Sequence, residues 1–392
     1  MSAVLPIPSA APVRRPSGSG VIVEIRDAAG VRALVPEWEA LAAEAIEPNP
    51  FYEHWMLLPA LEAYGEAGFR CLVAWDSGKL VGLVPLRIQR GFRGLPVRAA
   101  RSWRHRNMLL GTPLVRARGA ARTLEALLVA MPAAVLELEW TPAEGPLYGT
   151  LLQAAAAAGL PWLVTDAYSR ALLATERDPR ERFNSNMRNN LRRWEAKLRA
   201  AGEVQSVALA REGDLACWVD AFMRLEASGW KGEAGSALAC RPDDRRFVAQ
   251  VLPEAFRRDR LLIAGLDLAG RPLARHIVLR AGEGGYTFKI AYDEAHAAAS
   301  PGVLSEVANV SRFIETPGLR WVDSNTTEEN SPGYERVWKD RRTVQRIAFG
   351  VSAAGQLALA SLPFLRLAKR PVQKLAARLR PRGGGSRGRK GS

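Results

Sequence analysis

The chain of 392 residues carries a formal net charge of +15, is 48% hydrophobic, and contains three cysteines and four histidines. Its length suits two domains of ordinary size, each with its own core. Cys71, Cys217 and Cys240 are odd in number and far apart, and His54, His105, His276 and His296 are scattered without CxxC or HExxH spacing, so the pattern argues against a disulfide framework and against a protein-bound metal, and suits a reducing cytoplasmic setting.

Residues 1–20 lack an unbroken apolar core and are interrupted by prolines, so they make a poor signal peptide and are expected to be a disordered lead-in. Trp55 to Tyr64 follows a helical pattern, and Leu72 to Arg87 then reads as strand, tight turn at Gly78, strand. Val135 to Trp140 is a later strand. From Asn184 to Gly202, Met187, Leu191, Trp194 and Leu198 form one apolar helical stripe, and Arg188, Arg192, Arg193, Lys197 and Arg199 occupy the rest. That basic surface is either solvated or one edge of a groove for phosphate or RNA. In "EASGWKGEAGSAL", glycines flank Trp230 and Lys231; a loop carrying a large aromatic and a cation suits ligand contact, and a core tryptophan is the other reading.

Phe247 to Phe256 is again helical, and Leu262 to Arg280 repeats the hairpin pattern with Gly270 at the turn. The echo predicts two similar mixed α/β units in tandem, over residues 21–180 and 181–350. In the second unit Tyr286, Phe288, Ile290 and Tyr292 alternate with Thr287, Lys289 and Ala291 on opposite faces of a strand. "YDEAHAAASPG" leads from it into a helix bearing Val303, Val307, Val310 and Ile314, with Ser300 as N-cap, Pro301 at the first helical position and Pro317-Gly318 as the stop. A helix start offers free N–H groups and a positive dipole end, so this junction either seats a phosphate or is plain capping. Leu319 to Asp323 is a further strand.

Residues 351–392 read as an apolar and then basic tail. Val351 to Leu365 is uncharged but too short to span a bilayer, and the ten cations that follow, Arg366 to Lys390, meet no acid. Three readings stay open: a solvated disordered end, a contact with an anionic membrane, and a nucleic-acid tail.

"WKG" (Trp230 to Gly232), "GRPLARHIVLR" (Gly270 to Arg280), "KIAYDEAHAAASPGVL" (Lys289 to Leu304) and "YERVWKD" (Tyr334 to Asp340), in this order, resemble the CelD-like branch of the GNAT acyltransferase superfamily, whose members are often linked to cellulose and other envelope polysaccharides. The arrangement is also similar to the FemAB peptidyltransferases, which use aminoacyl-tRNA. The resemblance implies an α/β fold with mixed sheets, built as a tandem pair of GNAT-like acyltransferase folds. It implies acyl transfer from acyl-CoA, as co-substrate, to an amine or hydroxyl of a small-molecule, saccharide or peptide acceptor, with no metal. Lys289, Ser300 and Gly302 would meet the donor; Asp293, Glu294 and Asp323 are the nearby carboxylates that could serve as base, and Tyr334 the acid; Trp230, Lys231 and His276 would face the acceptor. The expected location is cytoplasmic, peripheral at the inner membrane face through the basic tail. A FemAB-like enzyme that takes its acyl group from aminoacyl-tRNA and a non-catalytic adaptor of a polysaccharide machine are the alternatives. "AHAAASPG" stands where the usual GNAT loop is richer in Arg, Gln and Gly.

Overall fold

A computed structural model describes residues 14–16, 20–65 and 67–365. The N-terminal unit runs β1 (Arg14–Pro16), β2 (Ile22–Arg26), α1 (Ala28–Arg32), α2 (Val35–Ala43), α3 (His54–Tyr64), β3 (Phe69–Asp76), β4 (Lys79–Phe92), β5 (Leu95–Ser102), β6 (Leu114–Val115), α4 (Ala120–Val129), β7 (Val135–Pro142), α5 (Pro146–Ala157) and β8 (Trp162–Ala174). The C-terminal unit continues with α6 (Ser185–Ala201), β9 (Val204–Ala208), α7 (Leu215–Ser228), α8 (Trp230–Glu233), α9 (Pro242–Arg257), β10 (Leu261–Leu268), β11 (Arg271–Ala281), β12 (Gly284–Tyr292), α10 (Pro301–Glu315), β13 (Trp321–Asp323), α11 (Ser331–Glu335) and β14 (Asp340–Gly350). A last helix, α12, is described over 353–365.

The two hairpins of the sequence echo are β3–β4 and β10–β11. Each turns through two residues of positive φ, Ser77 (50°) with Gly78 (77°) and Ala269 (48°) with Gly270 (73°). That is the type I′ geometry whose twist matches the flanking strands.

All strands among the described residues join one sheet, in the order β1-β2-β3-β4-β5-β7-β14-β8-β13-β12-β11-β10-β9, with β6 beside β4. Among the described residues two of its pairings are parallel, β5 with β7 and β12 with β13, one per unit. β14, from the end of the C-terminal unit, lies between β7 and β8 of the N-terminal unit, and β8 in turn pairs with β13. The units therefore exchange strands, and a cut near residue 180 would sever the sheet.

One apolar core covers a single face of this sheet and draws on both units: Trp38, Trp55 and Phe69 from the first meet Phe247, Tyr286 and Phe288 from the second. The Tyr286 hydroxyl donates to the Pro48 carbonyl at 3.0 Å across the same boundary. On the reverse face α4 and α5 cover the first unit, and α6 and α10 the second.

Residues 353–365, expected as part of a tail, form a helix. Ala358, Leu359 and Leu362 pack on Phe92, Ala99, Val135 and Ala348, because an uncharged helical stripe gains by covering the apolar end of the β4–β5 hairpin. The basic stretch from Arg366 lies outside the described residues.

Candidate functional site

The β12–β13 seam is short. Gly284, Gly285 and Tyr286 pair with Trp321, Val322 and Asp323, after which β13 ends and β12 continues to Tyr292 with β11 as its one neighbour. The pairing is tight at its start: a side chain at Gly284 would run into the Trp321 ring, so only glycine admits that approach.

Asp323, one of the carboxylates considered as base, ends the seam fully buried. Its Oδ1 lies 2.6 Å from Arg170 Nε, and its Oδ2 accepts from Arg170 Nη2 at 2.9 Å and Arg342 Nη1 at 3.2 Å. The Asn325 amide donates to Oδ1 at 2.7 Å. This carboxylate ties β8, β13 and β14 together, with both oxygens engaged.

β12 also carries a bulge. Ile277 pairs with Lys289 and Val278 with Thr287, which leaves Phe288 without a partner in the ladder. The simple alternation expected for Tyr286 to Tyr292 is therefore corrected. Tyr286, Phe288 and Ala291 enter the shared core, whereas Ile290 packs with α10 on the reverse face. The extra residue switches the strand's parity just where β12 leaves β13.

Beyond the bulge a cavity of about 290 Å³ opens between β12, α10 and α11, lined among others by Ile290, Tyr292, Ser300, Val303, Glu306 and Tyr334. Glu306 is buried, and neither of its carboxyl oxygens has a hydrogen-bond partner of good geometry. Its Oε1 lies 3.2 Å from His276 Nδ1. That separation is one found in ion pairs, but burial raises the Glu306 carboxyl well above the ordinary range and pushes His276 down to about 3. Both shifts favour the neutral forms, so the contact joins a carboxylic acid and an imidazole rather than two charges. Behind it, His276 Nε2 is 3.2 Å from Thr287 Oγ1. Burial keeps Tyr334 a phenol, and it shares a hydrogen bond with Thr287.

Of the sequence candidates, Tyr334, Ser300 and Gly302 line one cavity, and His276 lies behind its wall against Glu306; Glu306 was not among the candidates. The sign available was a lone acid set inside the apolar stripe of α10.

Ser300 holds the N-cap position of α10 but makes no side-chain capping bond, contrary to expectation. It also closes the single helical turn Glu294–Ala299, donating its amide to the Ala297 carbonyl at 2.9 Å, and this C-cap duty places it in the left-handed region at φ 46°. Gly302 does not face open space: a Cβ there would lie 3.0 Å from Tyr292 Cδ1.

The remaining candidates lie apart from the cavity. Asp293 caps the 294–299 turn by accepting from the Ala295 amide at 2.9 Å, and Glu294 accepts from the Trp230 amide at 3.0 Å. Lys231 Nζ lies 3.1 Å from Glu226 Oε1 and donates to the Ile290 carbonyl at 3.1 Å. Lys289 is half-buried near that pair; desolvation pulls its pKa down to about 8, against the attraction of Glu226. Trp230 is 53% exposed, so Trp230→Ala should change unfolding free energy by less than about 0.5 kcal/mol, not by the roughly 3 to 5 kcal/mol of a core aromatic. A urea denaturation curve checks this.

The equivalent seam of the first unit is closed. Past the three-residue pairing of β5 with β7, the Glu139 amide donates to Ser102 Oγ at 3.1 Å and the Gly111 amide to the Trp140 carbonyl at 3.3 Å. The 107–113 segment fills the gap, with Met108 and Leu110 buried beneath it. What remains there is a polar pocket of about 270 Å³ whose lining includes Arg87, Arg101, Arg104, His105, Arg106 and Glu139. Among the described residues no group of three or more His, Cys, Asp or Glu is placed to hold a metal ion.

The Acetyltransferase (GNAT) domain family matches residues 185–339, which contain the cavity. Among solved structures the chain is similar to FemX, at 11% identity and TM-score 0.52, covering 83% of this chain and 98% of that one. It is similar too to the C-terminal domain (DUF2156) of a protein described as a lysylphosphatidylglycerol synthetase from Agrobacterium fabrum, at 11% identity and TM-score 0.50, covering 85% and 97%. A tandem GNAT protein of the clavulanic acid pathway aligns at 15% identity and TM-score 0.42, over 84% and 99%. No curated protein sequence matches the chain. The fold is a mixed α/β tandem pair of GNAT-like acyltransferase folds.

Proposed function

We propose that this chain transfers an acyl group from acyl-CoA to an amine or hydroxyl, with the donor held in the C-terminal unit and the N-terminal unit shaping the acceptor side. One observation carries the reading: a parallel seam that opens onto a cavity holding a buried carboxyl with no good hydrogen bond and a buried phenol, while its counterpart in the first unit is filled. The residues present fit such a donor. The free N–H groups in the first turn of α10 suit a pyrophosphate, Ile290 and Val303 give the cavity apolar wall, and the bulge frees a strand amide for a carbonyl oxygen. When bound, the thioester supplies the activated acyl group. In its ionised form Glu306, a stronger base for being buried, accepts the acceptor's proton, and His276 orients it. Tyr334 remains protonated and can donate to a departing thiolate. A CelD-like place in envelope or exopolysaccharide metabolism is the pathway we favour.

Calorimetry with coenzyme A tests the donor. The Gly302→Ala and Gly302→Asp proteins both press on Tyr292, but only the second adds charge at the helix start. At ~4 Å and an effective dielectric near 20, a like-charge pair costs about 4 kcal/mol before screening, so Gly302→Asp should bind at least about tenfold more weakly than Gly302→Ala. Equal affinities, or no binding by the native protein, would refute the reading.

Transfer from aminoacyl-tRNA is a second reading, favoured by α6. Its Arg188, Arg192, Arg193, Lys197 and Arg199 are exposed, and Lys197 Nζ reaches the Ala298 carbonyl at 3.4 Å, beside the start of α10. Activity lost on ribonuclease treatment, without coenzyme A binding, would select it.

A further inference from the structure

The helix α12 has an outward surface without charge. Between Val351 and Leu365 there is no ionisable side chain, and Leu357 and Phe364, seven residues apart and so on one side of the helix, are 73% and 71% exposed. Solvated helix faces ordinarily carry charge. Ala360 lies between the two and is also exposed. The helix is anchored from beneath by Ala358, Leu359 and Leu362, so the outward stripe is fixed on the body of the protein.

Two further features share its setting. The ten cations of residues 366–392 follow Leu365 directly in sequence, with no acid among them. Arg87 and Arg101, paired across β4 and β5, project from the sheet face that α12 covers, since Gln89 and Ala99 come next on that face and Ala99 packs under the helix. They line the arginine-rich pocket beside it. Arg101 is engaged by Glu137 at 3.0 Å, which leaves exposed Arg87 as the cation of that face. An apolar stripe with an exposed arginine on the neighbouring sheet face and ten cations following it in sequence matches the interface of an anionic bilayer, where apolar side chains enter the acyl boundary and each nearby cation strengthens binding by about fivefold. Among the described residues no helix is long and apolar enough to cross a membrane, so the contact would lie on the surface.

We propose that α12, through its exposed Leu357 and Phe364 and helped by the cations that follow it in sequence, docks this protein on a bilayer containing anionic phospholipid. The full chain is sedimented with vesicles of phosphatidylcholine alone, or with about one third phosphatidylglycerol, at low and high salt. Expected is strong binding to the anionic vesicles alone, weakened by salt. The Leu357→Ser/Phe364→Ser protein should bind about tenfold or more weakly at an unchanged melting temperature, because both side chains are exposed; Phe364→Leu should keep most of the affinity. Equal binding to both vesicle types, or native binding by the double variant, overturns the proposal. So does a native dimer, seen without vesicles, that the double variant dissolves, for the stripe would then be covered by a second copy. RNA binding with no vesicle binding overturns it as well.

Discussion

Replacing Asp323 by alanine should lower the unfolding free energy by about 3 to 5 kcal/mol, the loss expected when one partner of a buried ion cluster is removed. Arg170 and Asp323 are both fully buried, and Arg342 is largely so. Without the carboxylate the guanidinium of Arg170 keeps only charge-free partners, the Leu109 carbonyl at 2.9 Å and the Tyr168 hydroxyl, while its charge stays out of water. The loss should be cooperative over the whole chain, because the cluster joins β8 of the first unit to β13 and β14 of the second. A single urea transition moved to lower midpoint would show this, and two separated transitions would show that the units unfold independently. Replacing Arg170 and Asp323 together by Met and Leu should recover much of the stability, since an apolar pair of similar volume often equals a buried ion pair. Activity per folded molecule should survive in that double variant, which separates a structural clasp from a catalytic base. A loss below about 1 kcal/mol in Asp323→Ala would contradict this account.

The parts of the fold that were legible in the sequence are those fixed by neighbours along the chain. The two type I′ hairpins announce themselves through Gly78 and Gly270, and α6 through its apolar stripe; the structure adds the Asn184 cap, whose Oδ1 accepts from the Met187 amide at 2.9 Å. The position of β14 could not be read locally. Nothing in its alternation says which of many edges it will join, because pairing between distant strands is decided by the shared core and not by any turn. The bulge at Phe288 was hidden for a similar reason: Tyr286, Phe288 and Ile290 alternate with Thr287 and Lys289 without a break, so nothing in the pattern marks an extra residue. The stripe of α10 misled more subtly. Val303, Val307 and Ile314 are only half-buried, whereas the fully covered face carries Ser305, Glu306 and Asn309 together with Val310 and Phe313. A helix that buries polar side chains breaks the rule by which its inner face is recognised, and it does so where it lines the cavity.

That exception sets up the sharpest expectation for the site. Glu306→Gln should lower kcat about 10²- to 10⁴-fold, the range a positioned general base contributes, and should raise stability at the same time. The sign of the second effect follows from linkage. Burial raises the folded-state pKa of Glu306 well above 4.5, so above that pH the folded protein holds a proton that the unfolded chain has released. Native stability attributable to this group therefore declines with rising pH, at about 1.4 kcal/mol per unit, until the folded pKa is passed. Glutamine is neutral throughout and escapes the decline. His276 also titrates differently on folding, but it is present in both proteins and cancels in the comparison. The stability advantage of Glu306→Gln should consequently be small near pH 5 and grow toward pH 8 in parallel denaturation curves. The kinetics should carry the mirror image: native kcat/KM rises with pH as Glu306 loses its proton, and this acid limb disappears in the variant. A buried carboxyl kept only for packing would show the stability gain without the loss of rate. A carboxyl made stable by partners would show the opposite, a variant weaker than the native protein at every pH, and would remove Glu306 from the proposed chemistry.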